Sequence, residues 1–259
     1  SKVKNKHSFN KILEQFRSKE NFYNKVSPDM TMNSRVLISD LLSLAKNNGL
    51  IVKTSSSVLD IKEKSESVVV KTPDEQFNAN NVVVCSPDLL SKMYRIPIKV
   101  SFAPIAVVEN VRKSEKSFVE LDYKVKTCIN LLKKSEGIGQ AGGISLDKER
   151  DVDDYLKYVI REHQQRNPEI KVVDSYVGLK KELVQKGENR NYLYHINQKS
   201  SKVWSVVLGK FSLAFSMAPE FYRRVYHKNP TKKYVNAAEL ENKEISETSW
   251  KEIIEKHRK

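Results

Sequence analysis

Three glycines, Gly137, Gly139 and Gly142 in the stretch GIGQAGG, have the G-x-G-x-x-G spacing of a dinucleotide-binding turn. That chemistry needs a buried strand before the glycines and a helix opening after them, so that free N–H groups face a pyrophosphate. It also needs an acidic residue about 20 positions on, at the end of the next strand. Here the glycines follow LLKKSE and precede ISLDKERDVDD, and the next strand-like run begins at Ile170. The context does not fit, and the spacing reads instead as a glycine-rich turn between two strands.

Other residues could do chemistry. In VVLGKFSLAF an apolar strand leads to Gly209, which permits close approach, and then to Lys210 at a helix start. An ammonium and a helix dipole would act there on the same developing negative charge. Ser212 follows as a possible helix N-cap, a role that needs no further function. Lys180, at a strand end after Gly178, and Arg190, before the strand NYLYHIN, could clamp a carboxylate or phosphate. Against that, 46 Lys and Arg residues make an ordinary surface charge the plain alternative. His195 lies on a strand between Tyr194 and Ile196, where an imidazole is either a packed side chain or a general base. Cys85 and Cys128 have no ligand company, so no metal site is expected.

The elements that must position these groups can be read from pattern. SRVLISDLLSLAKNNG has helical spacing, with Asn33 or Ser34 as cap and Gly49 as stop. LIVKTSSSVLDIKEK and SVVVKTP alternate as half-buried strands do. NNVVVCSP is a buried strand stopped by Pro87, and VSFAPIAVVENV and KSFVELDYKVKTCINLL are longer antiparallel strands. DVDDYLKYVIREHQQRNP is a helix with acidic residues first and basic residues last. Further strands are expected in KVVDSYVGLKKEL, NYLYHIN and VWSVVLG. A helix follows in FSLAFSMAPEFYRRVY, which Pro219 should kink or restart. Residues 1–25 make a short amphipathic helix at best, and a weak helix surrounds Trp250.

Length and charge bound the rest. With 259 residues and 39% hydrophobic content, the chain suffices for one large domain or two small ones. A formal charge of +14 favours anionic partners without choosing among them. The Lys and Asn enrichment runs through the whole chain, which weakens charge as a sign of nucleic acid. Two cysteines fit a reducing compartment. No run reaches the roughly 18 apolar residues of a membrane helix, and no signal peptide is visible. The expectation is a cytoplasmic protein, with peripheral membrane attachment left open. A first residue of Ser suggests a processed chain, a trimmed one or a fragment.

The stretch LLSLAKNNGLIVKTSSSVLDIKEKSESVVVKTPDEQFNANNVVVCS resembles the middle of flavoproteins of the D-amino-acid oxidase type. GQAGGISLDKERDVDDYLKYVIREHQQRNPEIKVVDSYVGLKKEL and VWSVVLGKFSLAFSMAPEF are similar to segments of the glycerol-3-phosphate dehydrogenase branch. The resemblance covers roughly residues 33 to 226. It implies a mixed α/β (α+β) fold: an incomplete FAD-binding Rossmann-like layer with an inserted antiparallel-sheet substrate domain. The implied division is 1–32 as a basic N-terminal segment, 33–98 with 201–226 as the partial FAD layer, 99–200 as the substrate domain, and 227–259 as a polar tail.

By the same resemblance, Gly142 and Gly143 end a substrate-domain strand. Gly209, Lys210 and Ser212 approach the flavin, the backbone of Val58 meets the adenine, and Lys180 stands where the family has a phosphate-binding arginine. A lysine keeps the charge there but loses bidentate geometry. CSP replaces the family's aaG after the apolar strand, and GKFSL replaces GK.TT. The family's glycine fingerprint lies upstream of everything matched, so a missing N-terminal segment or a partner chain is implied. The expected activity is FAD-dependent oxidation of a C–N or C–O bond in a small anionic substrate, with His195 as a candidate base. The alternatives are a flavin-free basic module, including one that binds nucleic acid, and a flavoenzyme acting on transfer RNA. The aromatic residues form no obvious stacking platform, which ranks binding below catalysis.

Overall fold

A computed structural model describes residues 32–122, 127–184, 193–231 and 242–259. The expected N-terminal amphipathic helix and Arg190 lie outside them.

The first helix, α1 (Ser34–Lys46), is capped by Asn33, whose Oδ1 accepts from Arg35 N and Val36 N. Gly49 follows with a φ of +93°, a left-handed conformation that suits glycine. Three short strands, β1 (Asp60–Glu63), β2 (Val68–Lys71) and β3 (Gln76–Ala79), then form an antiparallel meander. β4 (Val82–Val84) ends in Ser86-Pro87. Pro87 does not merely stop this strand: it opens helix α2 (Pro87–Tyr94), with Ser86 Oγ accepting from Leu89 N. Proline is tolerated in the first helical turn because its missing N–H would be unpaired there in any case.

The central block is a five-stranded antiparallel sheet in the order β6-β7-β8-β5-β9. Its strands are β5 (Ile98–Val111), β6 (Phe118–Asp122), β7 (Thr127–Ser135), β8 (Gly137–Gly143) and β9 (Lys171–Leu183). The run KSFVELDYKVKTCINLL is thus two paired strands, not one. GIGQAGG is itself the middle strand, flanked by β7 and β5, and not a turn. Helix α3 (Val152–Arg166) covers one face, where Val159 packs with Ala106, Val108, Leu131 and Ala141.

β10 (Tyr194–Gln198) and β11 (Val203–Leu208) form a hairpin, and β11 lies parallel to β4 with Val203 opposite Val82 and Ser205 opposite Val84. The run VWSVVLG therefore returns beside NNVVVCS. β10 belongs to this sheet, although the division at 99–200 expects it in the substrate domain. Val84, Val203 and Val207 share a core with Val68 of the meander and Leu90 of α2. Helix α4 (Ala214–Tyr226) runs through Pro219 as one element, and Phe221 meets Trp204 edge-on. The last helix, α5 (Ser249–His257), lays Ile254 and Trp250 against Val107, Ile138 and Tyr176, on the sheet face opposite α3. The fold is mixed α/β, as expected. Among the described residues no helix is long and apolar enough to cross a membrane.

Candidate functional site

The residues singled out by type and spacing fall on two surfaces. The first is the carboxyl-terminal edge of the parallel pair β4 and β11, the edge where open α/β sheets receive ligands. The Ser86-capped helix α2 leaves from one strand there and the Gly209–Lys210 turn from the other. Gly209 is buried, and its N–H donates to Leu193 O at 3.0 Å, which fixes the turn against β10. Lys210 is exposed, with extended backbone, and heads the single 3-10 turn Phe211–Leu213 that leads into α4. Ser212 lies inside that turn and is exposed. No side chain caps α4, so Ser212 does not serve as its N-cap.

His195 stands opposite Val207 on β11 and shares its face of the sheet. Its Nε2 is buried and has no hydrogen-bond partner. Val58 is half-buried and lies just before β1, not on a strand.

The second surface is the face of the five-stranded sheet away from α3. Residues directly opposite in an antiparallel pair point to the same side. Lys99 with Glu182, Ser101 with Lys180, Ala103 with Gly178, and Ile105 with Tyr176 therefore share this face, as do Val107 and Gln140. Its middle is lined by small residues. One end of the sheet reaches the first layer: Leu183 packs against the Val84–Leu90 core, and Lys181 Nζ donates to both oxygens of Asp88 at 2.7 and 2.6 Å. Beside that junction Lys180 Nζ lies 2.6 Å from Glu182 Oε1. Glu182 is 3% exposed. Neither atom makes a hydrogen bond of acceptable direction, so this is an ion pair by proximity alone. Lys180 thus arrives with an anion already beside it. At the other end Gln140 Nε2 donates to the Tyr176 hydroxyl, and burial raises the phenol's pKa although that bond lowers it.

Glu182, Tyr176 and Gln140 escaped the sequence reading. A period-two alternation carries the signal for the β9 members: Tyr176, Gly178, Lys180 and Glu182 are successive same-face positions. Gln140 was hidden by its setting in a glycine motif. Among the described residues no three His, Cys, Asp or Glu side chains gather as metal ligands would.

No family model and no curated protein matches the sequence. Solved structures do. NikD, an unusual amino acid oxidase essential for nikkomycin biosynthesis, superposes with a TM-score of 0.54 at 14% identity, over 74% of this chain and 56% of that one. The chain shares its fold with that part of NikD. Iminodiacetate oxidase from Chelativorans sp. BNC1 gives 0.52 at 11% identity, over 74% and 53% of the two chains. L-amino acid deaminase from Proteus myxofaciens gives 0.54 at 12% identity, over 72% and 55%. The chain spans about half the length of these structures. The likeness to the glycerol-3-phosphate dehydrogenase branch rests on sequence motifs alone.

Proposed function

We propose that this chain is part of an FAD-dependent oxidoreductase that oxidises a C–N or C–O bond in a small anionic substrate. One observation carries the reading. β11 returns, after the five-stranded insertion, to lie parallel beside β4, with Gly209–Lys210 at the shared carboxyl-terminal edge. Two features support a fit to a flavin at that edge: the buried Gly209 backbone admits close approach, and the His195 Nε2 is an orphaned buried polar atom on a neighbouring strand. The D-amino-acid-oxidase-like motifs, and the amino acid oxidase fold of the neighbours, favour a C–N bond.

When bound near Gly209 and Lys210, FAD would supply the two-electron, hydride-accepting chemistry. The protein supplies charge and position. Lys210, at the start of the turn into α4, stabilises negative charge that develops on the flavin side. Gly209 lets the backbone approach, Ser212 offers a hydroxyl nearby, and Val58 contributes backbone toward the adenine. Lys180, released from its pairing with Glu182, and Arg190 as a second cation hold the substrate's anionic group. His195 takes the proton lost from the substrate amine or hydroxyl. The pyrophosphate-binding glycine turn is supplied from outside these 259 residues, on the same chain or a partner, because the one matching spacing within them is a buried sheet strand.

The test is the rate of flavin reduction under anaerobic conditions in Lys210→Ala. Loss of a fixed donor at a developing charge typically slows a reaction by about 10²–10³. Lys157, exposed on α3, serves as the control substitution. A Lys210→Ala rate equal to the parent, with flavin fully bound, would return Lys210 to an ordinary surface residue.

A further inference from the structure

A cleft of about 560 Å³ opens where α1, α5 and the far end of the substrate-side sheet face meet. Its walls include Lys134 of β7, Gln140 of β8, Tyr176 of β9 and Trp250 of α5. It lies at the opposite end of that face from Lys180 and the first layer. Part of its wall, Glu247 to Trp250, comes from beyond the stretch that resembles flavoproteins.

The charges in the cleft do not cancel. Lys133 also lines it, but its ammonium is turned to the carbonyls of Arg112, Lys113 and Glu115, at 2.9, 2.8 and 3.2 Å. Glu247 is engaged by Lys251 Nζ at 2.8 Å, Thr248 N at 2.9 Å and Arg35 Nε at 3.6 Å. These contacts, Lys251 first, pull its pKa down to about 2, so it stays ionised but satisfied. Lys134 has no ion-pair or hydrogen-bond partner among the described residues. Its side chain is exposed, and partial burial lowers the ammonium's pKa.

The remaining walls are amphipathic. Gln140 is 7% exposed, which places an amide in the floor, bonded to the Tyr176 hydroxyl. Trp250 and Tyr176 offer ring surface. The cleft's volume falls in the range of about 300–1,000 Å³ usual for small-molecule sites, and its lining is mostly polar, with Met32, Tyr176 and Trp250 as its apolar and aromatic members.

We infer that this cleft binds a small organic carboxylate with an apolar or aromatic body, its carboxylate on Lys134 and its body against Trp250 and Tyr176. The inference does not rest on flavin chemistry, since no flavin-side residue takes part.

The test uses the two tryptophans of the chain, Trp204 and Trp250. In Trp204→Phe, emission reports Trp250 alone. Titration with 3-phenylpropionate should give a saturable change, and 3-phenylpropanamide, which lacks the charge, should bind about tenfold more weakly or worse. Adding Lys134→Gln should cost the carboxylate a similar factor and leave the amide unchanged, while Lys134→Arg should retain binding. Lys157→Gln should change nothing. Calorimetric titration of the unaltered chain gives the same comparison if Trp204→Phe disturbs folding. Absence of saturable binding by either method would overturn the inference. So would equal affinity for acid and amide, or a Lys134→Gln variant that binds the acid as the parent does.

Discussion

The Tyr155 hydroxyl occupies the space that a Cβ on Gly143 would need. It accepts from Ile144 N and donates to Cys128 O, both at 2.9 Å, and so ties α3 across the β7–β8 pair. A side chain at position 143 would collide with both this hydroxyl and the Cys128 carbonyl. The backbone carbonyl cannot retreat without breaking the sheet.

Gly143→Ala is therefore expected to destabilise the protein by about 3 kcal/mol, the upper end of the range for overpacking. Gly178→Ala is the contrast. A Cβ there would meet nothing closer than Ala103 O at 3.7 Å, an ordinary contact. Its effect should stay within about 0.5 kcal/mol. Denaturant melts of the two variants check the difference.

This relationship also shows where sequence reading succeeded and where it could not. Asn33, Gly49 and the amphipathic spacing between them mark α1 because caps and periodicity are local. The valine runs at 82–84 and 203–208 mark buried strands for the same reason, and their order implied the mixed α/β fold. GIGQAGG was not legible from its local pattern; only the resemblance ends a strand at Gly142 and Gly143, as β8 does. Its glycines serve contacts with residues remote in sequence, Tyr155 for Gly143 and the Leu131 and Val111 side chains for Gly139. A proline after a strand is either a stop or a helix start, and the Ser86 cap that decides between them for Pro87 is a weak signal. The Lys180–Glu182 pair and the cleft at Lys134 depend on which sheet face is covered, which α5 determines from far along the chain.

His163 gives a pH-dependent stability. It is 1% exposed beneath Phe118, and burial, with the Arg166 charge adding to it, lowers its pKa from 6.5 to about 4. The folded state therefore holds the neutral imidazole, while the unfolded chain takes up a proton below about 6.5. Stability from this group is fully present above pH 6.5 and is lost as pH falls toward 4. The loss amounts to about 3 kcal/mol. Chemical melts between pH 7 and 4 should show this slope, and His163→Gln should flatten it while lowering stability at neutral pH.

Glu182 and Lys180 should behave as a coupled pair. Glu182→Gln removes the anion beside an ammonium whose nitrogen is buried, and is expected to cost about 3–5 kcal/mol, as for a buried pair that loses one partner. In the double variant with Lys180→Met much of that loss should return. A double-mutant cycle by denaturant melts measures the coupling. Effects that simply add would show that the proximity carries no energy.

The central claim is that the fold holds FAD at the β4–β11 edge. These 259 residues alone, expressed and purified, should bind FAD weakly or not at all. The pyrophosphate would lack its glycine turn and the charge-assisted hydrogen bonds that turn provides, each about 1.5–3 kcal/mol. The most direct measurement is the visible absorbance and flavin-to-protein ratio of the protein expressed from its full reading frame, with any partner chain it requires. The account predicts a yellow protein with one FAD per chain, bleached anaerobically by a small anionic amine or hydroxy acid. A folded full-length protein that stays colourless, and takes up no FAD at saturating concentration, would contradict it.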